Sequence, residues 1–336
     1  MWQKDLKGNA QHWLLEENDP GVRYLALRDV VDVPATDPQF ILAKQQAHSQ
    51  GPIAQILNNM QPQGFWVKDG AGYLPKYTST VWALILLAQL GADVELDGRI
   101  QTAIAYYLQQ AFNPHGQIAI SGSPSSTADC LQGNICYALQ ALGCRDEHLD
   151  KAFEWMARSV TGDGVAPLAD KQAEVRYYAG KCGPLFACGA NDKKPCAWGA
   201  TKVMLAFGHY PAGKHTPLIR RAIQQGVEFL FSIDPFTAEW PHPYYAKPSG
   251  NWWKFGFPVF YITDLLQVVE ALALLGYGKD PRLANAIRMV KDKQDQDGRW
   301  ALETEYGGKT WGSFGEKKQP NKWVTLRALR ALKTIG

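Results

Sequence analysis

Six cysteines stand at positions 130, 136, 144, 182, 188 and 196 of a 336-residue chain, with none before or after that stretch. Where thiols stay reduced, disulfides are rare, so such clustering points to metal ligation or to burial. Cys130 opens one apolar helical stretch, Asp129-Cys130-Leu131-Gln132-Gly133-Asn134, and Cys196 opens another, Pro195-Cys196-Ala197-Trp198-Gly199. A helix amino terminus favours the thiolate that a metal needs, through its unpaired N–H groups and dipole. Cys182 and Cys188 lie in the loop feeding the second stretch, beside Gly183 and Gly189, where the backbone can turn around an ion. Four such thiolates suit tetrahedral Zn²⁺, and an iron–sulfur cluster takes the same ligand set. With only three bound, and water or Asp129 in the fourth position, the metal would be of catalytic type. Cys136 in mid-helix and Cys144 just past a helix end read as buried thiols.

The remaining chemistry is carried by carboxylates and aromatic rings. Asp129 is a candidate general acid, its proton held by burial, or alternatively a helix cap. Asp264, in Tyr261-Ile262-Thr263-Asp264, lies on an apolar stretch, where a charge must face a polar cavity or pair with an arginine. Twelve Trp, and aromatics at 12%, exceed what an ordinary core needs. Tyr77, Trp82, Trp198, Trp252, Trp253, Phe257, Tyr261, Trp311 and Trp323 fall near the starts of apolar helices. There they either line a pocket for an apolar ligand or pack between helices. Lys317-Lys318-Gln319-Pro320-Asn321-Lys322 offers positive charge for an anionic group, or a solvated loop. The chain has no P-loop, Gly-x-Gly-x-x-Gly, Gly-x-Ser-x-Gly or His-Glu-x-x-His, so nucleotide, serine-hydrolase and zincin chemistries lack a motif.

The elements that must position these groups repeat along the chain. Apolar helical stretches end at Leu90-Gly91, Leu142-Gly143, Phe207-Gly208, Leu275-Gly276 and Ile335-Gly336, each glycine serving as a helix stop. The stretches before them, with Arg23 to Leu27 as a first member and Val324 to Leu329 as a last, are apolar nearly all round and belong inside. Between them run amphipathic helices over Asp97 to Gln110, Asp146 to Val160, Pro217 to Ile233 and Pro281 to Gln294. Several are followed by a glycine turn, as in Gln63-Gly64-Phe65-Trp66, His115-Gly116, Gly162-Asp163-Gly164 and Gln296-Asp297-Gly298-Arg299-Trp300. Six hairpins that cannot bury their own apolar faces close on one another. The expected fold is therefore all-α, a single (α/α)6 toroid over residues 1–336, with a long cysteine-bearing loop at 162–195. Its inner helices should run parallel, with their amino termini at one mouth.

Composition narrows the partners. A hydrophobic fraction of 46% and a charged fraction of 20% describe a globular chain rather than a disordered one. The net charge of +3, without a Lys/Arg stripe, argues against nucleic acid. The polar start Met1-Trp2-Gln3-Lys4-Asp5 is unlike a secretory signal, and the run from Tyr77 to Ala92 is too short to span a bilayer, so the expected location is cytoplasmic.

Gln294-Asp295-Gln296-Asp297-Gly298-Arg299-Trp300 and Gln61-Pro62-Gln63-Gly64-Phe65-Trp66 resemble the glutamine-tryptophan repeats of the squalene cyclase and prenyltransferase-type toroid proteins. The likeness covers most of the chain as a repeat pattern and is similar to a bacterial branch of unassigned activity. It implies a cavity for an isoprenoid substrate, with Asp129 in the position of the cyclases' proton-donating aspartate. The cyclases' flanking aspartates are missing, since the helix start reads Thr127-Ala128-Asp129-Cys130, and no histidine completes a prenyltransferase zinc site there. The expected function is a toroid with Asp129 and Asp264 as catalytic candidates and Zn²⁺ on Cys130, Cys182, Cys188 and Cys196. Tyr77, Trp82, Trp198, Trp253, Phe257, Tyr261 and Trp311 would line the cavity. Two alternatives stand beside it. One is a non-catalytic metal-stabilised toroid that binds a protein or lipid partner. The other is an (α/α)6 glycosidase-like enzyme, needing two carboxylates from among Asp129, Asp264, Glu303 and Glu305.

Overall fold

The computed structural model describes residues 2–166, 169–173, 181–242 and 247–336; the rest of the 162–195 loop lies outside the described residues. Among them are thirteen α-helices and no strand, only isolated bridges. They are α1 (Gln11–Leu14), α2 (Pro20–Ala26), α3 (Pro38–Ser49), α4 (Pro52–Asn58), α5 (Thr80–Gln89), α6 (Gly98–Ala111) and α7 (Asp129–Ala141). Then follow α8 (Glu147–Thr161), α9 (Ala197–His209), α10 (Pro217–Leu230), α11 (Leu265–Leu272), α12 (Ala284–Asp292) and α13 (Lys322–Ile335). No helix among the described residues is long and apolar enough to cross a membrane.

Local chemistry sets the boundaries. Asp97, Asp146, Thr216 and Asn321 each cap the helix that follows, their side-chain oxygens accepting from its first free N–H groups. The carboxyl ends at Gly91 and Gly143 use a left-handed glycine, φ 79° and 90°. Phe207-Gly208 differs from the expected stop: α9 runs through it to His209. A Cβ at Gly208 would stand 2.8 Å from the Leu274 Cβ, so this glycine lets two helices approach instead of ending one.

The apolar stretches are interior. Thr80 through Ala88 of α5 are all buried, and α7, α9, α11 and α13 are nearly as enclosed. Among them α7 packs on both α5 and α9, α9 on α11, α11 on α13, and α13 on α2. The amphipathic helices cover this set from outside: α3 lies on α2, α6 on α5, α8 on α7, α10 on α9 and α12 on α11.

Two glycine-tryptophan turns are bound in the same way. The Trp66 indole donates to the Ile56 carbonyl of α4 at 2.7 Å, and its backbone N–H reaches Thr80 Oγ1 at 3.2 Å. The Trp300 indole donates to the Val290 carbonyl of α12 at 2.7 Å, and its N–H reaches Thr325 Oγ1 at 2.9 Å. Each turn ties the end of an outer helix to the first turns of the next inner one. The sequence repeat is thus also a repeat of hydrogen bonds.

Candidate functional site

The starts of successive inner helices meet at one cavity of about 390 Å³. Trp82 comes from the first turn of α5, Cys130 from the first turn of α7, and Cys196 and Trp198 from the start of α9. Tyr261 stands just before α11, and Trp252 in the short turn Gly250–Trp253. The walls form an unbroken run of ring contacts. Tyr73 meets Trp82 with centroids 5.3 Å apart, Trp82 meets Tyr261 at 6.2 Å, and Tyr261 meets Trp198 at 6.1 Å. Trp198 meets Trp252 at 6.4 Å, and Trp252 meets Trp240 at 4.9 Å. The Trp82 indole is fixed by donating to the Tyr73 carbonyl at 2.8 Å.

Polar groups interrupt this surface at few places. Lys76 sits over the Tyr261 ring at 4.9 Å and the Tyr73 ring at 5.6 Å, and donates to the Tyr261 hydroxyl at 3.3 Å. Lys181 and His242 also border the cavity. The Trp240 indole N–H lines it, is 2% exposed, and has no hydrogen-bond partner among the described residues. No carboxylate belongs to the lining among the described residues.

Three of the expected metal-binding thiols, Cys130, Cys188 and Cys196, open onto the cavity, and the fourth, Cys182, lies fully buried behind them near Asp129 and Cys188. The loop that carries them is folded back on itself. The Cys188 N–H donates to the Lys194 carbonyl at 3.2 Å and the Cys196 N–H to the Phe186 carbonyl at 3.0 Å. Asn191 pins this loop to its neighbour, donating to the Pro195 and Pro241 carbonyls at 2.8 and 3.0 Å. The Asp129 N–H donates to the Lys181 carbonyl at 3.1 Å and fixes the loop to the start of α7.

Within the cluster, the Cys196 thiol is hydrogen-bonded to the Cys188 sulfur. That bond, with the N–H groups of Ala190 and Asn191 and the nearby Lys181, outweighs burial and brings the Cys188 thiol down to about 6. The Cys196 thiol is held well above its ordinary value, first as donor of that bond and then by burial. Burial also pushes Cys130 up to about 12 and Cys182 well up. Cys188 is therefore the more acidic thiol of the pair and Cys196 its donor. No three His, Cys, Asp or Glu side chains among the described residues stand close enough to share an ion. The donor set has the chemistry of a zinc site, but the placement is that of a hydrogen-bonded dithiol with two thiol neighbours. No step below is routed through a metal.

Asp129 is the first residue of α7 and caps nothing; the cap position belongs to Ala128, without a side-chain bond. The Asp129 carboxyl is 4% exposed, accepts a long 3.5 Å contact from Ser159 and the Gly183 N–H, and leaves Oδ2 without a partner among the described residues. Burial, reinforced by the Cys188 sulfur, raises it well above the ordinary carboxylate range, against the Gly183 N–H and Ser159 hydrogen bonds that lower it. It stands one residue behind the lining, between Ala128 and Cys130.

Of the other expected residues, Trp82, Trp198 and Tyr261 line the cavity and four do not. Tyr77 packs behind Trp82 against Phe260 and Tyr306, and Phe257 is stacked on Trp323 at 4.6 Å. The Trp253 indole donates to the Phe236 carbonyl at 2.8 Å, and the Trp311 indole to the Thr78 carbonyl at 2.9 Å. Asp264 is in the buried pair with an arginine: it caps α11 and accepts from Arg327. Glu303 pairs with Lys293, and Glu305 lies 3.8 Å from Lys317. Cys136 and Cys144 are buried in the core. Tyr73, Lys76, Lys181, Trp240 and His242 are additions that sequence reasoning missed. They lie on loops without periodicity, and their only common signal is position between an outer helix and the next inner one.

No family model and no curated protein matches the chain. Among solved structures, the chain is similar to a crystal structure of a protein from Actinoplanes, 14% identical, with a TM-score of 0.35 over 88% of this chain and 99% of that one.

Proposed function

We propose that the chain closes into a single (α/α)6 toroid and binds an apolar, isoprenoid-class small molecule in the aromatic cavity at one mouth, as an enzyme of the squalene cyclase and prenyltransferase type. Supporting the toroid, the inner helices are neighbours in the order α5, α7, α9, α11, α13, α2. The turn after α5 returns to the first of them, where a Cβ at Gly91 would stand 2.6 Å from Leu25 of α2.

The observation that carries the ligand class is the cavity itself, six rings in continuous contact around about 390 Å³ and no carboxylate in the lining among the described residues. Such a surface gains by taking apolar area out of water, and its ring faces favour a developing cation. It argues against the glycosidase-like alternative, which needs two carboxylates across the cleft. An open cavity of this size also favours a small molecule over a partner protein that would use the mouth as a flat surface. Asp129, its carboxyl raised by burial and placed one residue behind the lining, is the proton donor this reading uses.

Titration with farnesol, followed by indole fluorescence, tests the reading. One saturable site is expected, weakened about tenfold or more in Trp198→Ala through lost apolar contact. Unsaturable binding, or equal binding by the variant, overturns it.

A thiol-bound Zn²⁺ is the second reading, and it requires Cys130, Cys182, Cys188 and Cys196, which influence one another around Asp129, to draw closer than the described residues stand. In it the ion would clip the 181–196 loop onto α7 and α9. Elemental analysis of protein purified without added metal tests it. About one zinc per chain, lost in Cys196→Ser and kept in Cys144→Ser, would carry this reading, and metal-free protein would remove it.

A further inference from the structure

We propose that the ligand of the aromatic cavity is an amphipathic acid, an apolar isoprenoid-sized body ending in one carboxylate, and that the Lys76 ammonium binds that carboxylate. The inference rests on the reading of the cavity as an apolar-ligand site and names the head group that ligand carries.

The charge of the lining points to an anion. Lys76 and Lys181 border the cavity, and no Asp or Glu among the described residues stands in its lining to balance them. Lys181 is exposed, whereas Lys76 is partly buried against the rings. The groups acting on the Lys76 ammonium are the hydroxyls of Tyr261, Tyr73 and Tyr77, with no carboxylate among them. A cation set against apolar walls acts on an entering anion more strongly than one in open water. With a carboxylate on Lys76, the ligand supplies the counter-charge that the protein leaves out.

The turn that carries Lys76 is held from several sides. The Ser79 hydroxyl is shared between the Gly72 and Pro75 carbonyls, at 2.7 and 2.8 Å. The Thr310 hydroxyl and the Trp311 indole donate to the Tyr77 and Thr78 carbonyls, both at 2.9 Å. Between these ties Tyr77 stands at φ 72°, in the left-handed region that a bulky residue rarely adopts. Such a backbone persists where its surroundings over-determine it. The ammonium is thereby seated 4.9 Å from the Tyr261 ring centre and 5.6 Å from that of Tyr73 before any ligand enters.

The donors choose the kind of anion. One N–H of the ammonium is spent on the Tyr261 hydroxyl at 3.3 Å, which leaves two for a ligand. A carboxylate matches them with a single charge and two oxygens. A diphosphate carries more charge and ordinarily enlists arginine or a carboxylate-bound Mg²⁺. The lining offers neither arginine nor carboxylate among the described residues. The Trp240 N–H, buried in the same lining without a partner among the described residues, is a donor and no acceptor, so it too suits an oxygen-bearing ligand.

Farnesol, farnesoic acid and farnesyl diphosphate share one body and differ in the head. The experiment measures their affinities for the full chain by calorimetric titration at about pH 7.5, where the carboxylic acid is ionised. Farnesoate is expected to bind about tenfold or more tighter than farnesol, and tighter than the diphosphate. Lys76→Met should cancel the preference for the acid over the alcohol, and Lys76→Arg, which keeps the charge, should retain part of it. Lys181→Met, which removes a lining charge of the same sign, should leave the preference in place. Equal binding of farnesol and farnesoate by the wild type overturns the inference, and so does a preference that survives Lys76→Met. A diphosphate bound more tightly than farnesoate overturns the single carboxylate. The comparison of heads is made on the wild type, so it decides the matter even where Lys76→Met fails to fold. Saturable farnesol binding with no gain from the acid fails the inference alone, whereas no saturable binding of any of the three fails the cavity reading and the inference with it.

Discussion

Arg327 donates to both oxygens of Asp264 at 2.9 Å, the two side chains being 8% and 7% exposed. The same guanidinium donates to the Gly256 carbonyl at 2.6 Å, so one arginine ties α13 to the start of α11 and to the loop before it. The pair is bidentate and enclosed, and Asp264 also caps α11 through the Gln267 N–H at 2.9 Å. An aspartate so fully occupied is placed to hold helices together.

Arg327→Met is therefore expected to destabilise the chain by about 3–5 kcal/mol, because it leaves a buried carboxylate without its partner. Asp264→Asn keeps an acceptor for the cap and should cost less. Urea unfolding of both variants measures this. Farnesol affinity should stay within about twofold of wild type, and a selective loss of binding in a fully folded Asp264→Asn would place this residue in the site instead.

The two tryptophan turns offer a second stability test. Thr325→Val removes the acceptor of the Trp300 N–H, a buried donor, and should cost about 1–3 kcal/mol. Thr80→Val removes the equivalent acceptor of Trp66 and should cost a similar amount. Thermal unfolding of the two variants checks the parallel, and an effect at one position alone would mean that the turns are not equivalent.

Much of the helix plan was legible in the sequence, because a helix apolar on every face has one place to go. Val81 to Ala88 and Leu265 to Leu272 announce themselves that way, and Gly91 and Gly143 end their helices as a left-handed glycine should. Gly208 was misleading since its role is decided by Leu274, far along the chain. The cysteines were legible through their confinement to one stretch, yet sequence spacing could not show that Cys188 and Cys196 would bond to each other. Tyr73, Lys76 and Trp240 were invisible because loop residues have no period, and only the packing of distant loops around one cavity brings them together. Tyr77 and Phe257 show the converse: aromatic residues at helix starts that pack into their neighbours.

Lys202 supplies a pH signature. It is fully buried on α9, donates to Gln267 Oε1 at 2.5 Å, and burial lowers it from 10.5 to about 7. Between those values the unfolded chain holds a proton that the folded chain has released, so stability should rise with pH from about 7. The rise is best read between about pH 7 and 8, below the titration of ordinary thiols, because the buried cysteines, whose thiols burial raises, lower stability at higher pH. Lys202→Met should flatten it. Urea midpoints across this range check the sign, and a falling stability, or an unchanged slope in the variant, contradicts it.

Metal removal separates the two readings of the thiols. With Cys188 and Cys196 bonded to each other, chelator treatment is expected to leave the melting temperature unchanged. A drop accompanied by zinc release would carry the zinc reading, since structural zinc contributes directly to folding.

The most direct test of the central claim is calorimetric titration of the protein with prenyl alcohols of increasing length. An aromatic-walled cavity of about 390 Å³ predicts one site per chain, with affinity rising by at least about tenfold per isoprene unit until the space is filled and falling thereafter. Heats that never saturate, or affinity indifferent to chain length, would contradict the claim that this cavity takes an apolar ligand.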